Sequence, residues 1–302
     1  MNPLNKLIVS TLPFVPKSIV GRFASRYIAG ESFTDASHVV RKLNAGGMMA
    51  TIDLLGEDIS RREEAIAARE SCKNVLDAIK GGQLDSNLSV KLTQLGLKLD
   101  KQFCSENLLE ILDVARSHGN FVRIDMEDSS CTDDTLEIYC TARKSYSNVG
   151  VVIQASMRRS ESDLAELIRE KANVRLCKGI YVEPEEVAFQ RREEVQENFV
   201  TLLGMLLRNQ CYVGIATHDE RLIEAAYGLI RSEKLGREEY EFQMLLGVRH
   251  DLRKAVAQRG NRMRVYVPFG AHWYAYSLRR LKENPQIAWY ILRSILTLDH
   301  SD

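Results

Sequence analysis

At 302 residues, 45% of them hydrophobic, the chain is long enough for one α/β barrel with extra helices. Its 41 basic residues balance 41 acidic ones, which argues against a general nucleic-acid binder, a class that carries a basic excess. The cysteines at 72, 104, 131, 140, 177 and 211 form no CxxC and no cluster with histidine, so neither a disulfide framework nor a zinc site is expected, and the compartment reads as reducing.

The first thirty residues carry Lys6, Lys17, Arg22 and Arg26 and no acid before Glu31. The apolar stretch from Leu7 to Val15 is short, holds Pro13 and cannot span a bilayer. The favoured expectation is an N-terminal helical extension, residues 1–35, packed on a catalytic barrel over 36–302. A basic amphipathic segment that touches a membrane surface, or a transit peptide, are the alternatives. The expected location is cytoplasmic, peripheral to the inner face of the membrane if the segment binds there.

Eight short β-rich runs follow: Gly47–Leu54, Leu88–Gln94, Phe121–Met126, Gly150–Gln154, Val174–Lys178, Tyr212–Thr217, Glu241–Leu246 and Met263–Val267. Most read as continuous apolar runs, which suits strands buried in a parallel sheet. Charged segments of helical period separate them, the longest over Glu57–Lys80 and Glu185–Arg208. The pattern at Ser160 and Asp163 predicts an N-cap for a helix over Ser160–Lys171. After the last strand, helices are predicted around Trp273–Glu283 and from Pro285 to Leu298. Eight βα units without a flexible linker predict a single (βα)8 barrel of the TIM type. No GxGxxG, P-loop or HExxH is present, and the six histidines are scattered, so no metal site is expected.

A barrel of this kind places its chemistry where strands end. Lys91 lies in SVKLTQ and Asp125 in RIDME, both on runs that should be buried; as neighbours they could simply pair with each other. Gln154 ends the fourth run, with an amide suited to a heterocycle edge. Arg175 and Lys178 fall in VRLCKGIY, where Gly179 permits close approach of a ligand to backbone. Thr217, His218 and Asp219 close the sixth. Each has a bland explanation; five of eight strands ending this way is harder to dismiss. In HWYAYSLRRLKE, Tyr276, Arg279, Arg280 and Glu283 share one helix face, and adjacent arginines can flank a carboxylate. A lone arginine pair is more often a solvated face.

At these residues the sequence resembles the proline dehydrogenase family. The matching segments are SVKL (89–92), RIDME (123–127), QASMRRSESDL (154–164), RLCKGIY (175–181), ATHD (216–219), EFQMLLG (241–247) and YVPFG…WYAYSLRRLKENP (266–285), in that order along roughly residues 35–290. The spacing of Tyr266 and Arg279 resembles the single-function bacterial enzymes. The resemblance implies a distorted barrel, extra N-terminal helices and a helix after strand eight over the active site. It implies oxidation of L-proline to 1-pyrroline-5-carboxylate, the first step of proline catabolism, by hydride transfer to noncovalent FAD, with electrons passed to a quinone-type acceptor. A pyrroline-5-carboxylate dehydrogenase would then be the partner that takes the product.

By the same resemblance, Lys91, Arg279 and Arg280 hold the proline carboxylate and Tyr266 and Tyr276 pack around its ring. Asp125 and Arg175 form the catalytic pair, Arg175 at the flavin N5 edge. Met126, Gln154, Lys178, Gly179, Ile180, Tyr181, Thr217, His218 and Glu283 line the FAD. Cys177, Ile180 and Val182 depart from the commoner RLVKGAYW pattern, with consequences only for local packing. Two other readings stay open: an aldolase-type barrel using Lys178 as Schiff-base amine, and a noncatalytic barrel that binds a carboxylate.

Overall fold

The computed structural model describes residue 21 and residues 24–56, 59–274 and 277. Eight parallel strands close into a barrel in chain order: β1 (Met49–Leu54), β2 (Ser86–Val90), β3 (Val122–Ile124), β4 (Val149–Gln154), β5 (Asn173–Cys177), β6 (Val213–Ala216), β7 (Tyr240–Leu245) and β8 (Met263–Phe269), with β8 pairing back on β1. The helices among the described residues are α1 (Phe33–Ala45), α2 (Arg62–Gly81), α3 (Lys101–His118), α4 (Thr132–Ser145), α5 (Ser160–Arg169), α6 (Arg192–Arg208), α7 (Glu220–Ser232) and α8 (His250–Gln258). None of them is long and apolar enough to cross a membrane.

All eight predicted strands are present, with ends shifted by at most four residues. The helix expected from Glu57 starts at Arg62, where Glu64 turns back to accept from the backbone N–H groups of Ser60 and Arg61. The helix expected from Glu185 starts at Arg192, because Pro184 and the turn after it occupy 184–190. Ser160 does not cap α5. Arg159 holds the cap position, and the Ser160 hydroxyl donates to the Gln154 carbonyl at 2.6 Å. Asp163 receives Arg159 at 2.9 Å. A buried acceptor took the hydroxyl that the capping pattern had assigned to a backbone N–H.

The reading of the strands as continuous apolar runs needs correction. Each alternates. Ile52, Leu88, Val90, Ile124, Val151, Val174, Leu176, Ile215, Phe242 and Val265 belong to one continuous apolar core with the helices. The residues between them face the barrel axis and are largely polar. Contacts across the barrel settle this direction: Arg175 on β5 reaches residue 125 just beyond β3 and Gln243 on β7, and Tyr266 on β8 also reaches residue 125. Barrels of this type usually fill the axis with layers of branched aliphatic side chains. Here the hydrophobic core is a ring outside the sheet, and charge runs up the middle.

At the N-terminal mouth, Arg264 donates to Glu241 through Nε at 2.7 Å and Nη2 at 3.1 Å, and Tyr212 donates to the same carboxylate at 2.9 Å. Arg123 donates to the carbonyls of Val151 and Asn173, each at 2.8 Å, and to the Asn173 side chain. Space for these side chains comes from glycines. A Cβ on Gly150 would lie 2.4 Å from the Arg123 guanidinium, and one on Gly214 would lie 2.4 Å from the Gln243 amide. Outside the barrel, Ala24 and Ile28 bury against Leu55 beside Trp273.

Candidate active site

The polar axis opens at the C-terminal ends of the strands. Asp125, one residue past β3, lies at its centre. It accepts from Arg175 Nη1 at 2.7 Å, Ser89 Oγ at 2.7 Å and Tyr266 OH at 2.8 Å. Burial alone would raise its pKa. The Arg175 guanidinium and the Lys91 ammonium outweigh burial and hold the carboxyl below its ordinary range. Arg175 spends Nε on Gln243 Oε1 at 2.7 Å and lies over the Tyr266 ring, 5.1 Å from its centroid. Its Nη2 is buried and has no hydrogen-bond partner among the described residues. That leaves one guanidinium donor unmatched in a residue that also lines the cavity beside it.

Lys91 follows β2 directly and is 9% exposed. The expected pairing with Asp125 is the weaker of its two: Nζ lies 3.8 Å from Asp125 Oδ2 but donates to Asp53 Oδ1 at 2.6 Å. Tyr266 OH lies 3.5 Å from the same ammonium. Burial would lower the Lys91 pKa; Asp53 first, then Asp125, reverse the balance and raise it, so the amine stays protonated.

Beside this cluster lies an open cavity of about 280 Å³. Asp125, Met126, Arg175 and Tyr266 form its floor; Gln154, Lys178, Gly179, Ile180, Thr217 and His218 line its wall, with Cys177 and Met244. Gln154 donates through Nε2 to the carbonyls of Met126 and Glu127, so its Oε1 is turned toward Gly179. Gly179 has φ +97°, and a Cβ there would strike Ser156 Oγ at 2.1 Å. The glycine is demanded by its backbone and by Ser156 as much as by any ligand. His218 accepts from the Leu245 N–H through Nε2 at 2.9 Å, which puts its proton on Nδ1. Lys178 is 39% exposed, with Asp219 at 3.7 Å. Tyr181 is half-buried in the loop after Ile180.

The structure thus brings Lys91, Asp125, Met126, Gln154, Arg175, Lys178, Gly179, Ile180, Thr217, His218 and Tyr266 around one mouth. Tyr276, Arg279, Arg280 and Glu283 lie outside the described residues. Sequence reasoning missed Asp53, Ser89 and Gln243. Ser89 had a signal, two positions before Lys91 in the same alternating phase, whereas Asp53 and Gln243 share their strands with no flagged residue.

The order of these residues along the chain now meets comparison with known proteins. The family model described as "Proline dehydrogenase" matches residues 36–289. The chain belongs to the proline dehydrogenase family. Proline dehydrogenase 1 of Bacillus subtilis subsp. natto is 39% identical over 273 residues, 90% of each chain. Proline dehydrogenase of Deinococcus radiodurans is 34% identical over 278 residues, again 90% of each. Among solved structures, proline utilization A (PutA) from Bdellovibrio bacteriovorus, inactivated by N-propargylglycine, superposes with TM-score 0.81 at 26% identity over 86% of this chain. The match spans 32% of that longer protein. The chain is therefore that of an oxidoreductase that carries out the first step of proline catabolism, similar over 90% of their length to these two bacterial enzymes, and the family is one of flavoenzymes. The aldolase-type and noncatalytic readings fall with that assignment.

Proposed function

We propose that the flavin is FAD, held noncovalently along the cavity wall from Gln154 to His218, and that L-proline binds between it and the Asp125–Arg175–Lys91 cluster. One observation carries this reading: Arg175, fixed by Asp125 and Gln243, lines the cavity and keeps one donor unmatched among the described residues. The wall fits a flavin in kind, with an amide, an imidazole and an ammonium beside apolar Met126, Ile180 and Met244. The bound flavin would supply the two-electron acceptor for hydride leaving proline C5. The chain's own residues do the rest. Lys91, with Arg279 and Arg280 of the resemblance, holds the carboxylate. Tyr266 and Tyr276 pack the ring. A cationic site favours the proline nitrogen without its proton, the form whose lone pair can assist. Arg175, paired with Asp125, stabilises negative charge that develops on the acceptor. The product would pass to a pyrroline-5-carboxylate dehydrogenase, and the electrons to a quinone-type acceptor. The four cations before Glu31 support weak, salt-sensitive contact of an otherwise cytoplasmic enzyme with anionic membrane.

The test is an anaerobic titration of the purified yellow protein with L-proline. Bleaching of the flavin with saturation is expected, and Arg280→Met should shift the saturating concentration up by about 30-fold or more, the usual cost of breaking a buried charged pair. A protein without flavin absorbance, or a flavin that proline leaves oxidised, ends the proposal. N-propargylglycine, which inactivated the Bdellovibrio protein, should inactivate this one as well.

A further inference from the structure

We propose that Asp53 is a positioning residue of the proline site, holding the Lys91 ammonium charged and aimed while touching no substrate itself. The inference rests on Lys91 as a carboxylate ligand. Asp53 lies on β1, is 1% exposed, and accepts from Lys91 at 2.6 Å. Like Lys91, it is not among the residues that line the cavity of about 280 Å³.

Its other oxygen, Oδ2, is buried without a hydrogen-bond partner among the described residues. That makes Asp53 a poor device for stability, because a buried carboxylate with half its acceptors unmatched costs more than an apolar pair of the same volume. What it does supply is a counter-charge. A proline carboxylate is attracted to Lys91 only if the amine is already protonated when it arrives, in a setting where burial favours the neutral amine.

Asp53 is the group best placed near Lys91 for this part. Among the described residues, the charged or titratable groups around it are Asp53 from β1, Asp125 and Glu127 from the end of β3, Tyr266 from β8 and the Cys72 thiol from α2. Asp125 is 3.8 Å away and already accepts from Arg175, Ser89 and Tyr266. Burial pushes Glu127 toward its neutral form, and it is taken by the Thr93 N–H and hydroxyl. Burial also pushes the Cys72 thiol up to about 12, so it stays neutral. Asp53 uses one of the three Lys91 N–H donors from behind, Tyr266 stands at the length limit of a second, and one remains for a ligand.

The probe is cyclopentanecarboxylate, a ring acid of proline's shape without the amine, whose own charge is constant above about pH 6. Its dissociation constant is read from the perturbed absorbance of the bound cofactor in the holoenzyme, across roughly pH 6 to 10. In the wild type the constant should be nearly flat. Lys91→Met should bind about 30-fold or more weakly at every pH. Asp53→Asn should match the wild type at the acid end, then weaken by about tenfold per pH unit beyond a break that the wild type lacks. Asp53→Glu, which keeps the charge, should restore the flat profile. A flat Asp53→Asn profile beside a weak Lys91→Met variant overturns the role of Asp53 and leaves Lys91 as the ligand. Wild-type affinity in Lys91→Met sinks both. Should Asp53→Asn fail to fold, Asp53→Ser is titrated in its place, with the same break expected.

Discussion

Two ion-pair clusters in this protein use the same kinds of residue to opposite ends. On the outer faces of α2 and α3, Arg69 and Lys73 share Glu70 and Glu110 at 2.6 to 3.3 Å. At the barrel mouth, Lys91 pairs with Asp53 and, more loosely, with Asp125, which also pairs with Arg175, at 2.6 to 3.8 Å. The geometry is nearly the same; the solvent is not. Both outer glutamates are 47% exposed, whereas Asp53 is 1% exposed. Water screens the outer cluster and can replace any member of it. The inner cluster has no such substitute, so each charge there depends on its partner and the set acts as a unit. Distance alone does not tell a decorative ion pair from a chemical one; the loss of water does.

Removing Arg175 should break this contrast most visibly. Arg175→Ala leaves Asp125 buried beside Lys91 alone, and flavin reduction by proline should slow by about 10²- to 10³-fold, read by anaerobic stopped-flow absorbance. The fold should also become more acid-sensitive. The Asp125 pKa is depressed in the native state, so its contribution to stability is present above the unfolded value near about 4 and is lost as pH falls through the lower folded value. Without Arg175, burial pulls that folded value up, and acid unfolding should begin at a higher pH. A variant with wild-type reduction rate and normal cofactor occupancy removes Arg175 from the chemistry.

The second effect sharpens the comparison by reaching the cluster from below. Gln243 accepts from Arg175 and donates to Glu241 at 2.6 Å, linking the mouth to the Arg264–Glu241 pair. Gln243→Leu should cost about 1–3 kcal/mol in thermal or urea unfolding, since it leaves buried polar partners unmatched. Gly214→Ala, which crowds the same amide, should cost less than additively when combined with it. Additive costs would mean that the two positions do not share the network.

The smallest change belongs to the outer cluster. Lys73→Ala should shift Tm by no more than about 2 °C and leave proline turnover unchanged. A larger drop would show that exposure does not separate the two clusters as argued.

Much of this was legible beforehand, and unevenly. The eight βα units were, because strand length and helical period are local signals. Asp125 and Arg175 stood out as charges inside apolar runs, and the ordered motifs pointed to the family. Asp53 in ATIDL and Gln243 in EFQML were no less anomalous, yet a single polar residue in a strand says nothing about which side it faces until the barrel closes. Their partners are 38 and 68 residues away in sequence. The false cap at Ser160 failed for the same reason: a local pattern lost to a buried carbonyl that only the fold brings near.

The glycines of β4 and β6 carry a final consequence. Gly150 and Gly214 are the recesses into which Arg123 and Gln243 fit, so the charged axis is defined as much by where atoms are missing as by where charges sit. In a saturation scan of this barrel, those two positions should tolerate as little as the arginines do, although neither bears a functional group. Anyone transplanting the site onto another barrel would have to carry the hollows along with the side chains.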